Sequence, residues 1–269
     1  MSDHNPDTGA PAPVWHRLRF EAKAAAAAEP TLASYIDAAI LTHDRLCSAL
    51  VYHLAQKLAG PATDALTMRE LCRDAYDADH SLVEKAEADL QAVLDRDPAC
   101  RGLVQPFLFF KGFLALQTYR VAHWLWGQGR DTLAFHFQSR ASELFGVDIH
   151  PAAKLGRGIM LDHATNITIG ETAIVGDDCS ILQGVTLGGT GKEVTDRHPK
   201  IGRGVLVSVG AKVLGNITIG DEAKIAAGSV VLKPVPACCT VAGVPAKIVG
   251  DPCGTAAAAM DQGIPDAKA

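Results

Sequence analysis

The chain has 269 residues, enough for two hydrophobic cores, and its formal net charge of -5 leaves no basic surface for nucleic acid or an anionic membrane. Its N-terminal segment lacks the apolar core of a signal peptide, and no uncharged run approaches the ~20 residues of a membrane span. We therefore expect a cytoplasmic protein. Seven cysteines without CxxC spacing predict reduced thiols rather than disulfides or a zinc site.

The two halves of the chain differ in composition. Every Phe, Trp and Tyr lies at or before Phe145, whereas 19 of the 25 glycines lie at or after Gly146. This shift predicts an α+β chain with a domain boundary near residue 146. The expected organisation is a disordered arm over 1–13, an α-helical domain over 14–146, a repeat domain over 147–250 and a flexible tail over 251–269.

The first half is patterned for six or seven helices. We expect helices around 24–28 and over 31–40, 44–58, 107–126 and 131–145. Two more should start at capping boxes, one at Thr67–Glu70 running to about Asp77 and one at Ser81–Glu84 running to about Leu94. The 107–126 helix is apolar on more than one side. A plain core and an oligomer contact would each bury that surface, and the sequence leaves both open.

The second half repeats every six residues from Ile149 to Pro236. One frame reads IHPAAK, LGRGIM, LDHATN, ITIGET, AIVGDD, CSILQG and VTLGGT, then after a break of ten residues IGRGVL, VSVGAK, VLGNIT, IGDEAK, IAAGSV and VLKPVP. A short strand, a tight turn and an inward aliphatic anchor fit this length, and three such units close one coil. The sequence therefore predicts an N-terminal α-helical bundle followed by a left-handed parallel β-helix of hexapeptide repeats.

The break in the repeat is an inserted polar loop, GKEVTDRHPK, over 191–200. An insertion at one corner costs a solenoid little stability and places polar groups along one edge, where binding residues are commonly found. Within the loop, Arg197 offers a guanidinium fork for a carboxylate, and His198 offers an imidazole. Solvated loop charges are the alternative interpretation of both residues.

An Asp-His pair lies near the start of the third hexad, where a repeat of apolar anchors needs neither residue. The imidazole of His163, with an ordinary pKa near ~6.5, suits a general base for a hydroxyl, provided that an acid such as Asp148 orients it. The spacing from Asp148 to His163 is half a hexad short of one coil of three hexads, so the two would lie on successive coils but out of register. Two solvated corner residues are the alternative for Asp162 and His163.

Two other motifs do not fit their patterns. Gly188–Lys192 is similar to a phosphate-binding loop, but Glu193 follows where that motif has Ser or Thr. His150, His163 and His198 could bind zinc, as in carbonic anhydrases built on this helix, yet the closely spaced histidine pair of those enzymes is missing.

Six segments carry a resemblance to a known family. They are RDPA (96–99), FKGFLALQTYRVAHWLW (110–126), VDIHPAAKLGRGIMLDHAT (147–165), VTLGGTGK (185–192), DRHPK (196–200) and AGVPAKIVG (242–250). Together they resemble bacterial serine O-acetyltransferases of the hexapeptide-repeat acyltransferase superfamily. The resemblance covers about residues 14–250.

The resemblance implies transfer of an acetyl group from acetyl-CoA to the hydroxyl of L-serine, which gives O-acetyl-L-serine and CoA in the first step of cysteine biosynthesis. It implies three catalytic residues: His163 as the base, Asp148 to orient it, and His198 to support the pocket. Acetyl-CoA would be a co-substrate, with no permanently bound cofactor and no metal.

The same resemblance implies two sets of binding residues. Asp97 and Asp162 would hold the substrate ammonium, and Arg197 would bind the substrate carboxylate. His198 would support the same pocket, and the amide of Gly189 would stabilise the oxyanion. Acetyl-CoA would lie in a groove between two β-helices, in contact with Gly188, Gly189, Thr190, Lys192, Ala211, Gly228, Ser229 and Lys247.

Partners also follow from the resemblance. Family members form a homo-trimer through their β-helices and a dimer of trimers through their helical domains, and L-cysteine inhibits them; we expect it to compete with L-serine. Binding to O-acetylserine sulfhydrylase is doubtful, because members that bind it end in isoleucine whereas Ile264 is followed here by five residues.

Three alternative functions remain. One is an acetyltransferase acting on homoserine or a sugar, although a neutral sugar would not need Arg197, Asp97 and Asp162. Another is a zinc protein similar to γ-carbonic anhydrase, which metal analysis would decide. The third is a scaffold without catalysis, for which replacing His163 should change nothing.

Overall fold

The structure is a computed structural model, and it describes residues 14–249 and 255–263. The predicted arm over 1–13 lies outside these residues. The first half of the chain is helical. Its elements are α1 (Val14–Ala28), a 3₁₀ turn (Pro30–Leu32), α2 (Ala33–Ile36), a π-helical segment (Asp37–Leu41), α3 (Leu46–Leu58), α4 (Ala65–Ala78), α5 (Ser81–Arg96), α6 (Val104–Leu108), α7 (Lys111–Gly127) and α8 (Asp131–Phe145).

Helix α8 has the predicted bounds, but the predicted helix over 107–126 is broken between Leu108 and Lys111. Phe110 has extended dihedrals there (φ -82°, ψ 108°) and precedes α7. The break redirects the chain so that α7 starts directly against the second domain. Gly112 comes so close to it that a Cβ at this position would collide with the carbonyl oxygen of Leu161.

The apolar surface of α7 is covered within a single chain. Its buried residues are Phe113, Leu114, Ala115, Leu116, Tyr119, Val121, Ala122 and Leu125, and they belong to the main hydrophobic core. Of the two interpretations that the sequence left open, this helix therefore follows the plain core.

Helix α5 starts at Ser81 as predicted, but the capping boxes predicted at Thr67 and Ser81 are wrong, because nearby aspartates accept the hydrogen bonds instead. Helix α4 starts before Thr67, and the side chain of Asp64 accepts a hydrogen bond from the amide of Thr67 at 2.9 Å. At the start of α5 the amide of Ser81 donates to Asp79 Oδ1 at 3.0 Å. A carboxylate satisfies a free N–H group and also interacts favourably with the positive end of the helix dipole.

The second domain consists of short parallel strands on three faces. The strands are β1 (Val147–Ile149), β2 (Lys154–Leu155), β3 (Met160–Asp162), β4 (Ile167–Ile169), β5 (Ile174–Val175), β6 (Ser180–Leu182), β7 (Thr186–Gly188), β8 (Lys200–Ile201), β9 (Leu206–Val207), β10 (Lys212–Leu214), β11 (Thr218–Ile219), β12 (Lys224–Ile225), β13 (Val230–Val231), β14 (Thr240–Gly243) and β15 (Ala246–Ile248). The faces are β1-β4-β7-β10-β13, β2-β5-β8-β11 and β3-β6-β9-β12-β14-β15. All pairs are parallel except β14 with β15. This is the predicted β-helix.

Its coils are not all the same length. Lys200 pairs with Thr218, and this spacing is that of three hexads. Ile174 pairs with Lys200 at a longer spacing, because the inserted loop lies between them. Val147 pairs with Ile167, which is also further along the chain than three hexads allow. The first coil therefore contains two additional residues that the hexad frame did not reveal.

The two domains are joined by a buried ion pair. Asp89 on α5 and Arg120 on α7 are within 2.7 Å of each other, and both side chains are almost fully buried. Asp89 also accepts from the amide of Ile159 at 3.0 Å, and Arg120 donates to the carbonyl of Gly156 at 2.8 Å. The pair therefore attaches both helices to the first coil of the β-helix.

Residues 255–263 pack on the β-helix rather than extending as the predicted flexible tail. They contain α9 (Ala256–Ala259), whose first residue contacts Leu182 and Leu206 on the six-stranded face. Ser180 Oγ donates to the carbonyl of Ala257 at 3.1 Å. The remaining tail residues, including Ile264, lie outside the described part of the chain, so the expectation about the sulfhydrylase stays a prediction. In the part that the structure describes, no helix is long and apolar enough to cross a membrane.

Candidate active site

The two additional residues of the first coil form the turn that carries His163. In the next coil the corresponding corner has a single left-handed residue, Gly184, at the position that Asn166 takes here. The turn instead has three non-glycine residues with positive φ: His163 at 52°, Ala164 at 61° and Asn166 at 61°. Such conformations cost energy and concentrate at functional sites. The imidazole of His163 is thereby projected from the corner, and its side chain is 75% exposed.

Neighbouring elements brace this turn. The amide of Asn166 donates to the carbonyl of Gly146 at 2.8 Å, and the amide of Gly184 donates to the carbonyl of Thr165 at 2.8 Å. The ammonium of Lys111, at the start of α7, donates to the hydroxyl of Thr165. The strained turn is therefore held by both the helical domain and the second coil.

A cleft of about 1040 Å³ opens beside the turn, between α5, α7, β3 and α9. Asp97, Asp162 and His163 all line it. Burial raises the pKa of Asp162; the charge of His163 opposes this shift and the charge of Asp97 reinforces it. Two carboxylates that face one partly buried space favour a cation, and an ammonium would satisfy them both.

Asp97 is oriented within this cleft by its own turn. It ends α5, and its Oδ1 accepts a hydrogen bond from the amide of Ala99 at 2.8 Å. His163 Nε2 lies 3.9 Å from Asp162 Oδ1. The structure thus brings together three of the residues that the sequence suggested, from positions far apart in the chain.

Asp148 has a different neighbour from the one predicted. It lies in β1 beside Thr168, and its Oδ1 accepts a hydrogen bond from Gln138 Nε2 on α8 at 2.6 Å. Within the described chain no ion pair joins it to His163, so its orienting role stays a prediction. The contact from Gln138 could not be read from the sequence, because it depends on how α8 packs against β1.

Arg197 and His198 lie at another corner, between β4 and β5. Arg197 Nη2 donates to Glu171 Oε2 at 2.5 Å, and this hydrogen bond lowers the pKa of Glu171. Arg197 Nη1 donates to the carbonyls of Val194 and Thr195 at 3.2 Å. The guanidinium is therefore preorganised along the loop. The sequence analysis missed Glu171, which looks like an ordinary solvated corner residue of a hexad.

Thr172 holds the same loop through its backbone and its hydroxyl. Its Oγ1 accepts from the amides of Arg197 and His198 at 3.0 and 3.1 Å. Its own amide donates to Nδ1 of the buried His198 at 3.1 Å, which assigns the proton of the neutral ring to Nε2. Burial, and then Arg197, lower the pKa of His198. A Cβ at Gly170 would collide with Nε2, so the ring fits only against a glycine.

These groups form two half-sites on one β-helix. We call the turn over 162–166, together with the corners of later coils that stack on it, the histidine edge. We call residues 170–173, together with the loop over 189–200, the loop edge. Strand β4 separates the two edges: residues 166 and 170 are about 13 Å apart along an extended chain. Among the described residues, no hydrogen bond or ion pair joins His163 to Arg197 or His198, whose partners are Glu171 and Thr172.

The predicted acetyl-CoA residues divide between the same edges. On the histidine edge, Ala211 follows the turn at the third coil and Gly228 and Ser229 at the fourth, about 10 and 14 Å below it at ~4.8 Å per coil. Ser229 Oγ already accepts from the amide of Gly243 at 3.2 Å. Lys247 lies in β15, opposite Ala242 at the end of the six-stranded face. The loop edge carries Gly189, Thr190 and Lys192, and Gly188 ends β7 directly before them.

Metal-ligating side chains are not clustered in the part of the chain that the structure describes. Among those residues, no group of three or more His, Cys, Asp or Glu side chains is arranged to hold a metal ion.

Comparison with known proteins identifies the family. The model of the serine acetyltransferase N-terminal region matches residues 14–118, and the model of six bacterial transferase hexapeptide repeats matches residues 198–233. The serine acetyltransferase of Salmonella typhimurium (strain LT2) is 57% identical over 239 residues, which are 89% of this chain and 88% of that protein.

Solved structures agree over nearly the whole length. A serine acetyltransferase in complex with cysteine has a TM-score of 0.92 and 52% identity, covering 93% of this chain and 98% of its own. The serine acetyltransferase of Brucella abortus strain S19 in complex with coenzyme A has a TM-score of 0.88 and 50% identity, covering 90% of this chain and 96% of its own. These likenesses confirm the predicted helical bundle and left-handed β-helix. The chain belongs to the serine acetyltransferase family.

Proposed function

We propose that this chain transfers the acetyl group of acetyl-CoA to the hydroxyl of L-serine, giving O-acetyl-L-serine and CoA. The observation that carries the proposal is the cleft in which Asp97 and Asp162 converge beside His163. A site with two carboxylates and one exposed imidazole fits a small amino alcohol whose ammonium is held while its hydroxyl is deprotonated. Family membership supplies acetyl-CoA as the donor.

His163 is the general base. As the serine oxygen attacks the thioester carbonyl, the imidazole takes the hydroxyl proton, and the tetrahedral intermediate then expels the thiolate of CoA. The imidazolium returns the proton to this thiolate, so the enzyme ends the cycle unchanged. Asp148 is proposed to orient the ring, and the amide of Gly189 to donate to the oxyanion.

The remaining contacts to the substrate come from the loop edge. Arg197 binds the carboxylate of L-serine, and His198, whose neutral ring has its proton on Nε2, supports the same pocket as a hydrogen-bond donor. Since the two edges lie on different corners of one β-helix, we infer that a complete site joins the histidine edge of one chain to the loop edge of a second copy.

Three copies around a threefold axis parallel to the β-helices would give every groove one edge of each kind. Acetyl-CoA would lie along this groove, against Ala211, Gly228, Ser229 and Lys247 from one side and Gly188, Thr190 and Lys192 from the other. Two such trimers would associate through their helical domains.

L-cysteine is proposed to inhibit by competing with L-serine. It carries the same ammonium and carboxylate and differs only in having sulfur in place of the hydroxyl oxygen, so the same charged groups would bind it. Initial rates at several fixed concentrations of L-cysteine test this. Excess L-serine should abolish the inhibition, and inhibition that excess L-serine leaves unchanged would contradict the proposal.

A CoA-release assay with purified protein tests the function itself. L-serine, L-homoserine and a galactoside are offered as acceptors with acetyl-CoA. Turnover should be fastest with L-serine, because its ammonium meets Asp97 and Asp162 while its hydroxyl reaches His163. Preferred turnover of L-homoserine or of the galactoside would replace L-serine with that acceptor, and release with none of them would refute the proposal.

A further inference from the structure

Arg96, the last residue of α5, attaches the end of that helix to the β-helix. Its Nη1 lies 3.0 Å from the carbonyl of Gly158, 3.2 Å from that of Asp178, 3.3 Å from that of Cys179 and 3.3 Å from Ser180 Oγ. Its Nη2 lies 3.5 Å from Asp178 Oδ1, and the side chain is only 10% exposed. All of these acceptors belong to one corner of the first two coils. A charged group with several hydrogen-bond acceptors around it holds the end of α5 firmly against this corner.

Asp97 directly follows Arg96 and lines the cleft with Asp162 and His163. The amide of Asp97 donates to the carbonyl of Val93 at 3.0 Å, so Asp97 moves with the last turn of α5. The second polar attachment of α5 to the β-helix, at Asp89, is two helical turns earlier, about 10 Å along the helix axis. Arg96 is therefore the polar attachment of α5 to the β-helix that lies nearest to Asp97.

Electrostatic repulsion between two carboxylates is a reason for an anchor at this position. Asp97 and Asp162 face the same cleft, and the charge of Asp97 contributes to the raised pKa of Asp162, so the two carboxylates repel each other before a cation arrives. Asp162 is fixed in β3, whereas Asp97 is at the end of a helix. Without a restraint, repulsion would move the end of the helix away from the strand.

Arg96 also lines the cleft, but its polar contacts are to the corner of the β-helix. We propose that Arg96 is a positioning residue, which holds Asp97 at the distance from Asp162 at which both carboxylates bind the ammonium of an amino-acid substrate. This inference depends on the proposed function, because it assigns the paired carboxylates to an ammonium. It predicts a defect confined to the amino-acid substrate, since the acetyl-CoA residues lie on other coils.

The test is a double-mutant cycle of R96M and D97N in the full-length protein, with KM measured separately for L-serine and acetyl-CoA. R96M should raise the KM for L-serine by at least about tenfold and change the KM for acetyl-CoA by less than about twofold. If Arg96 acts through Asp97, the double variant R96M/D97N should be no worse than D97N alone. A merely structural role would make the two effects multiply, and that result would overturn the proposal.

Two controls complete the design. R96K keeps the charge and part of the hydrogen bonding, so it should recover a large part of the affinity. R96Q removes the charge but keeps a polar side chain, and it replaces R96M in the cycle if R96M does not fold. R157A removes an arginine from the same corner. Its side chain is 64% exposed and makes only a long ion pair with Asp177, at 4.0 Å, so this variant should behave as the wild type.

A crystal structure of R96M, or of R96Q if R96M does not fold, gives a readout that needs no activity. Asp97 should move away from Asp162, and an unmoved Asp97 would overturn the proposal. Failure of the proposed function is distinguishable, because the unmodified protein would then release no CoA with L-serine before any variant is compared.

Discussion

At the scale of single residues, the turn carrying His163 is the clearest case of what the sequence reveals and hides. Asp162 and His163 stand out because a repeat of aliphatic anchors needs neither. Their unusual backbone does not stand out, because the two additional residues preserve the alternation of inward and outward side chains. Leu161 and Ile167 remain one hexad apart and are both buried, so the hexad frame looks intact across the insertion.

The first prediction concerns His163 itself. Replacing it with asparagine removes the base but keeps a polar group of similar size on the exposed turn. Turnover with L-serine should fall by about 10²-fold or more, because general-base assistance is lost. Thermal unfolding should be unchanged, since the side chain is 75% exposed. Wild-type turnover by the asparagine variant would show that another group takes the proton.

The second prediction concerns Gly170, which no sequence motif singled out. Alanine there would collide with Nε2 of His198, so G170A should displace the ring and disturb Arg197, which shares the Thr172 anchor. We expect kcat/KM for L-serine to fall at least about tenfold. G127A is the matched control, because nothing lies within 4 Å of a Cβ at Gly127. Equal activity of G170A and G127A would contradict this account of how His198 is held.

At the scale of secondary-structure elements, the six-residue repeat predicted the architecture well, whereas several ends of the helices were predicted poorly. Six-residue spacing was sufficient for the β-helix, and the charged loop was located from the break in that spacing. The caps of α4 and α5 are local, but the capping-box patterns at Thr67 and Ser81 led the prediction away from Asp64 and Asp79. The break before α7 was missed because it depends on a tertiary contact, the approach of Gly112 to Leu161. The packed segment around α9 was also missed, since a run of alanines has no periodicity that marks a buried face.

The third prediction concerns the ion pair that attaches α5 and α7 to the β-helix. D89N leaves the charge of Arg120 buried without its partner. This should reduce the free energy of unfolding by about 3 to 5 kcal/mol, measured by denaturant titration at a fixed protein concentration. D95N, at an exposed position of the same helix, should change it by less than about 0.5 kcal/mol. If D89N were as stable as D95N, the pair would contribute little to joining the domains.

At the scale of the whole molecule, the proposed function depends on two edges that lie on different corners of one β-helix. The sequence supplied nearly all of the candidate residues, but the distances between corners require the coil register. That register depends on the two insertions, one in the first coil and one in the loop over 191–200. The separation of His163 from Arg197 therefore could not be obtained from spacing alone, and it is this separation that calls for a second copy.

Complementation between two inactive variants tests this central claim most directly. H163N disables only the histidine edge, and R197A disables only the loop edge. The two chains are co-expressed with different tags, and oligomers containing both are purified and assayed for CoA release with L-serine. If sites form between neighbouring chains, each mixed trimer contains one groove with both intact edges, so turnover should recover to about a third of the wild-type value. Mixed oligomers no more active than either variant alone would contradict a site shared between copies.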